Sequence, residues 1–147
     1  MPSRTPSRSI SHVHIGDELP PLIVPLTRTL IMAGAIASRD YQEVHHDPIL
    51  ARERGSEDVI MNILTTNGFV GRFVTDWAGP DAIIRSVKVR LGAPNYPGDT
   101  MTMTGSVTAL DGAHVTVAVR GANSRGDHVN AIVIVTLQVG PTEAAHT

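Results

Sequence analysis

The chain has 147 residues, of which 41% are hydrophobic and 18% are charged, and its formal net charge is -2. This is the composition of one globular domain, so it excludes an intrinsically disordered chain and gives no electrostatic basis for binding nucleic acid. Because there is no cysteine, disulfides, a thiolate nucleophile and cysteine-ligated metals are excluded too.

The chain start is rich in serine, arginine and proline and lacks the apolar stretch of a secretory signal, so we expect a cytoplasmic protein. No run of about 18 uncharged apolar residues is present, which predicts no membrane span. We expect residues 1–16 to be a flexible tail, residues 17–140 to be one folded domain, and residues 141–147 to be a C-terminal tail.

The first half of the chain predicts helices. Prolines keep residues 19–25 extended, and a run of small apolar residues at 27–38 predicts a helix with Thr27 as its N-cap. A polar loop at 39–48 and a short helix at 49–54 follow. Residues 58–78 carry apolar side chains at helical spacing on most of the circumference, which is typical of a buried helix.

In the second half of the chain, apolar and polar residues alternate with a period of two. Four strands are predicted at 83–91, 101–109, 114–120 and 129–139, joined by short turns that make neighbouring strands antiparallel. The fold class is therefore α+β, with a sheet wrapped around one long helix. A hotdog fold fits this order, although periodicity alone does not single it out.

The polar loop is the strongest candidate site. Asp40 and His45 lie five residues apart, so a carboxylate and an imidazole can converge on one water molecule as general acid and base. We expect partial burial to move the pKa of each group toward neutrality. The alternative is a solvated loop in which Asp47 only caps the next helix, with Pro48 at its first position.

Other polar residues are weaker candidates. His45, His46 and Asp47 are adjacent, which is awkward geometry for one metal ion, so we expect no metal and no cofactor. Arg85 stands in the apolar register of its predicted strand, where it would pair with an acid or reach an anionic ligand. His128 is expected to be structural.

Residues 37–47, with Asp40 followed five residues later by His45, resemble the hydratase-2 signature of MaoC-like (R)-specific enoyl-CoA hydratases. The resemblance continues through 58–60 and 68–72, which would lie on the central helix of that family. It implies a single hotdog domain with the signature loop overhanging the sheet. Arg39 replaces the usual glycine before the aspartate, and Gln42-Glu43 replaces the usual Asn-Pro.

Longer runs resemble the small hotdog subunits of actinobacterial steroid side-chain enoyl-CoA hydratases: 39–47, 62–65, 74–80, 90–94 and 126–129. This implies a subunit that hydrates a trans-2-enoyl-CoA with a bulky steroid side-chain acyl group, in sterol and lipid catabolism. It also implies a second MaoC-like hotdog subunit as partner, in a heterodimer or heterotetramer.

The same resemblance implies residue roles. Asp40 would be the general base, and His45 would hold the water with it and help to return the proton. Asn62 and Ile63 replace the His-Gly that begins the central helix of the family, and they are expected to bind substrate through the Ile63 N–H and the positive end of the helix.

Two other functions are compatible with the sequence. One is a non-catalytic hotdog scaffold that completes a partner's active site, which the Asn62-Ile63 departure favours. The other is an acyl-CoA thioesterase, which would need a carboxylate on the central helix, where only Asp58 and Asp76 stand near the ends.

Overall fold

The computed structural model describes residues 6–140. Three α-helices and five β-strands follow one another along the chain, with short 3-10 turns at Ile10–His12 and Glu43–His45. The elements are β1 (Leu22–Pro25), α1 (Arg28–Ala37), α2 (Pro48–Glu53), α3 (Ile63–Ala78), β2 (Ile83–Leu91), β3 (Thr100–Asp111), β4 (His114–Asn123) and β5 (Gly126–Thr136). Among these residues, no helix is long and apolar enough to cross a membrane.

The strands form one five-stranded antiparallel sheet in the order β1-β3-β4-β5-β2. Tight turns join β3 to β4 and β4 to β5, as the short polar connections predicted. The apolar side of α3 is buried in the same core as the inward side chains of the sheet, for example Val70 and Val74 with Met103 and Val117. The predicted α+β arrangement of one sheet and one long helix is confirmed.

Helix α3 begins at Ile63, later than the predicted start at residue 58. The Asn62 side chain caps the helix, because its Oδ1 accepts the Thr65 N–H at 3.0 Å. Asp58 lies outside the helix, and its carboxylate binds Arg28 at 2.5 Å and Arg52 at 3.6 Å. The apolar spacing continues before the helix, and the boundary is set by the Asn62 cap, which apolar periodicity does not detect.

A β-bulge in β2 changes the predicted position of Arg85. The register with β5 shifts between Ile84 and Ser86, so Arg85 becomes exposed. Its Nε donates to the Thr136 hydroxyl at 2.9 Å. Among residues 6–140 Arg85 forms no ion pair, so the expected acidic partner is not found there, and the anionic-ligand alternative stays a prediction.

Residues 6–16, expected to be part of a flexible tail, pack on the domain instead. Val13 is buried in the core, and Ser9 forms a bridge with Gln138 beside the end of β5. The Arg8 N–H donates to the Ala78 carbonyl at 2.9 Å, and its guanidinium lies 4.9 Å from the centre of the Trp77 ring. The remaining expected tail residues, 1–5 and 141–147, lie outside the described residues.

Candidate active site

The end of helix α1 places Asp40. The Asp40 N–H donates to the Ala35 carbonyl at 2.9 Å, and the Arg39 N–H donates to the Ile36 carbonyl at 3.1 Å. This is a Schellman-type ending, which requires a left-handed residue just after the helix, and Arg39 has a φ of 57°. Position 39, where the resembling family usually has glycine, is therefore one where glycine adopts the required backbone conformation with the least strain.

We expect Arg39→Gly to stabilise the chain by up to about 1 kcal/mol, since glycine relieves the left-handed strain of a residue with a Cβ. Chemical denaturation of both proteins would measure the change. Ala37→Gly, placed in the helical part of the same segment, is the matched control and should destabilise by about 1 kcal/mol. Equal loss of stability in both variants would contradict the prediction.

His45 is held by the backbone of the segment that precedes α3. Its Nδ1–H donates to the Ile60 carbonyl at 2.7 Å, and the Ile60 N–H donates to the Val44 carbonyl at 3.0 Å. In the neutral ring this tautomer leaves the lone pair on Nε2. That atom faces Asp40 Oδ2 at 3.5 Å, in a side chain that is 11% exposed. The structure thus brings together the two residues that the spacing singled out.

Asp47 has a separate, structural role. Its Oδ1 accepts the N–H groups of Ile49 and Leu50 at 3.0 and 3.1 Å, and Pro48 occupies the first position of α2. The predicted cap is confirmed, but it does not replace the Asp40–His45 pair. Within residues 6–140, no group of three His, Cys, Asp or Glu side chains is placed to hold a metal ion.

Asn62 connects the start of α3 to Asp40. Its Nδ2 donates to Asp40 Oδ2 at 3.1 Å and to the Ser38 hydroxyl at 2.9 Å. The Asn62 hydrogen bond is the main cause that holds the pKa of Asp40 below its ordinary value, against an opposing effect of burial. The expectation that burial would move the pKa of Asp40 toward neutrality is therefore wrong.

The first turn of α3 presents backbone donors beside this pair. The Thr65 N–H donates to Asn62 Oδ1, and the Thr66 N–H donates to the Asn62 carbonyl. The N–H groups of Ile63 and Leu64 have no hydrogen-bond partner among the described residues. Both side chains are exposed, and the positive end of a helix dipole adds to the N–H groups. This turn can bind a carbonyl oxygen that gains negative charge.

An open groove of about 430 Å³ runs between α1 and α3 next to the pair. Its walls are mostly small or apolar: Gly34, Ala37, Ser38, Leu64, Thr65, Gly68, Phe69 and Arg72. Ser38 and Thr65 also bind Asn62, so the groove adjoins the polar site. The arrangement offers an acid–base pair, backbone donors and an apolar surface within one region.

Sequence reasoning missed Ser38 and Thr65 as members of the site. Both stand in runs that resemble the family, Ser38 in 37–47 and Thr65 in 62–65, but neither has a role assigned by the resemblance. Only the cap at Asn62 could have indicated Thr65, three residues later. His128, by contrast, is structural as predicted, because its ring is buried between the Thr66 hydroxyl at 2.8 Å and the Ala93 carbonyl at 2.7 Å. Burial lowers its pKa.

Comparison with known proteins places this geometry in a family. The profile described as "MaoC like domain" matches residues 13–126. The 3-oxo-4,17-pregnadiene-20-carboxyl-CoA hydratase beta subunit of Mycobacterium tuberculosis is 48% identical over 124 residues, which cover 84% of this chain and 96% of the relative.

Solved structures agree with this result. A chain in the crystal structure of the ChsH1-ChsH2 complex from Mycobacterium tuberculosis superposes with a TM-score of 0.84 at 47% identity, covering 85% of this chain and 98% of that one. The (R)-hydratase from A. caviae involved in PHA biosynthesis shares the fold, with a TM-score of 0.76 at 24% identity over 86% of this chain and 98% of its own. The chain belongs to the MaoC-like domain family, as the signature around Asp40 and His45 predicted.

Proposed function

We propose that this chain is a catalytic subunit of an enoyl-CoA hydratase that adds water across the double bond of a trans-2-enoyl-CoA. The observation that carries the proposal is the Asp40–His45 pair, whose Oδ2 and Nε2 face each other at 3.5 Å beside the first turn of α3. That separation is longer than a hydrogen bond, and a water molecule held beside the pair can contact both atoms.

The chemistry balances with these groups alone. As the water oxygen bonds to C3, one water proton passes to Asp40 and the π electrons move onto the thioester oxygen. The Ile63 N–H and the helix N-terminus stabilise that oxygen while it carries negative charge. The proton then returns to C2 by way of His45, which restores the pair. The thioester carbonyl forms again as C2 accepts the proton.

The substrate proposal rests on the relative from Mycobacterium tuberculosis, which is a hydratase of a steroid carboxyl-CoA by its name. Identity of 48% over 84% of this chain supports a bulky steroid side-chain acyl-CoA as the substrate class here. The apolar groove beside Thr65 and Gly68 is compatible with a large, weakly polar acyl group.

The partner proposal rests on the same relatives and on the sheet. The matched solved structure is a complex of two components, and the relative is named a beta subunit. In this chain β2 is an edge strand nine residues long, so one side of its backbone has no neighbouring strand within residues 6–140. We propose a second MaoC-like hotdog subunit as partner, in a heterodimer or heterotetramer.

The thioesterase alternative receives less support. Asp58 lies before α3 and is bound by Arg28 and Arg52, and Asp76 binds Arg72 at the far end of the helix. Neither carboxylate faces the Asp40–His45 pair. The residues of this helix therefore offer no carboxylate at its middle for attack on a thioester.

The test is to co-express the chain with a MaoC-like subunit encoded by a neighbouring gene. The purified complex is then assayed with enoyl-CoA thioesters whose acyl groups range from short to steroid-sized. We expect loss of the conjugated enoyl thioester and formation of the 3-hydroxyacyl-CoA, fastest with the bulky acyl groups. Release of free CoA without hydration would contradict the proposal and favour a thioesterase.

A further inference from the structure

Every polar atom of the Asn62 side chain is already used inside the protein. The residue is 1% exposed. Its two amide protons go to Ser38 Oγ and Asp40 Oδ2, and its Oδ1 accepts both the N–H and the hydroxyl of Thr65, at 3.0 and 2.5 Å. An amide has two donors and two acceptor positions, so none remains for a substrate.

From this saturation we infer that Asn62 is a positioning residue for Asp40 and does not bind substrate, an inference that rests on the proposed hydratase function. The family resemblance predicts that Asn62 binds substrate together with Ile63. The structure separates the two: Ile63 is an exposed residue whose backbone N–H has no partner among the described residues, whereas the side chain of Asn62 turns inward to the carboxylate.

The network fixes which end of the amide faces Asp40. The Thr65 N–H is a donor only, so the atom of Asn62 that meets it must be the oxygen. The nitrogen is then directed at Ser38 and Asp40. Ser38 can accept that bond because its own hydroxyl donates to the Gly34 carbonyl at 2.7 Å. The helix cap and the orientation of the carboxylate are therefore parts of one network.

The contact holds the catalytic oxygen in place. Asn62 binds Oδ2, the same oxygen that faces His45, whereas Oδ1 receives only a long bond of 3.4 Å from the Gln42 N–H. His45 and His46 are the ionisable groups that act on Asp40, and both belong to the same loop. From α1 and α3 the neighbours are neutral, namely Ser38 and Asn62. Without the amide donor, the carboxylate can rotate away from the water.

Asn62→Ser is the sharpest test, because serine retains the N-cap acceptor for the Thr65 N–H but has no amide to give to Asp40. In the purified complex with its partner, we expect kcat to fall about 10- to 100-fold at pH 7 with KM changed less than threefold. We also expect the activity relative to wild type to fall further as the pH is lowered toward 5, since the carboxylate loses the bond that favours its charged form.

Asn62→Asp is a matched variant whose pH profile should shift in the same direction as that of Asn62→Ser, but further. It also retains the cap, but it sets a second carboxylate against Asp40, so its activity should be low at neutral pH and recover as the pH rises. Ser38→Ala leaves the Asn62–Asp40 contact in place and should lose less activity than either variant. Thermal unfolding of all three, with the partner bound, reports any loss of folding.

Two results would overturn the inference: a raised KM with unchanged kcat in Asn62→Ser, or a pH profile that keeps the wild-type shape. The first would make Asn62 a substrate ligand after all. If the wild-type complex hydrates no enoyl-CoA, the proposed function fails, and a ¹³C NMR titration of the Asp40 carboxyl in wild type and Asn62→Ser still tests the contact. A higher Asp40 pKa in the variant supports the inference, and an equal one refutes it.

Discussion

Asp40→Asn should lower kcat for hydration by about 10²–10⁴-fold while the chain still folds and binds its partner. Asparagine preserves the size of the side chain but cannot accept the water proton. The side chain is 25% exposed, so its neutralisation leaves no buried charge unpaired. His45→Ala should cause a loss on the same scale, because Nε2 is the other atom that holds the water and returns the proton.

The measurement is steady-state hydration by the co-purified complex, with circular dichroism to confirm folding. Glu43→Gln is the matched control: it lies in the same loop, and it removes only an ion pair with Arg54 at 3.1 Å that is half exposed. We expect that control to retain activity within about twofold. Normal turnover by Asp40→Asn would instead support the scaffold role, in which the partner supplies the catalytic groups.

Gly34→Ala should destabilise the chain by about 1–2 kcal/mol, even though alanine is the better helix former by about 1 kcal/mol. An added Cβ on α1 would lie 2.3 Å from Thr65 Oγ1 and 3.2 Å from Thr65 Cβ, so the whole side chain would have to move. Thr65 holds the oxygen of Asn62, and the disturbance should therefore reach Asp40 and lower hydration by about tenfold or more.

The control is Gly68→Ala on α3, in the wall of the same groove. An added Cβ there meets no atom within 4 Å, so the helix-propensity gain is unopposed and the isolated chain should become more stable by up to about 1 kcal/mol. Urea unfolding of the two variants measures both effects. A stabilised Gly34→Ala variant would show that α1 and α3 can separate without cost.

The fold could be predicted from the sequence because its signals are local and repeated. Alternation by two placed the strands, and apolar residues at helical spacing placed α3 within five residues of its start. The predicted last strand, 129–139, lies at Gly126–Thr136 because the polar residues before Val129 continue the hairpin with β4. Apolar periodicity does not detect strand residues without an apolar side chain, such as Gly126, Asp127 and His128.

The sequence could predict the site residues that lie close together along the chain, but not those that meet only in the folded structure. Asp40 and His45 stand close in sequence and follow a known signature, whereas Ser38, Asn62 and Thr65 meet through side-chain hydrogen bonds between α1 and α3. The direction of the Asp40 pKa was missed for the same reason, since the decisive donor lies 22 residues away. The sequence could predict that Asp40 is partly buried, which raises its pKa. It could not predict the hydrogen bond from Asn62, which lowers that pKa by more.

The packed N-terminal segment makes the start of the described chain depend on its end. Ser9 bridges Gln138, the Ile10 N–H donates to the Gln138 carbonyl at 3.0 Å, and Gly79 leaves room for Ser7. These contacts span nearly the whole sequence, so the entropy of closing that loop is offset only after the sheet and α3 have formed. Hydrogen exchange at the Ile10 amide should therefore report the integrity of the entire domain.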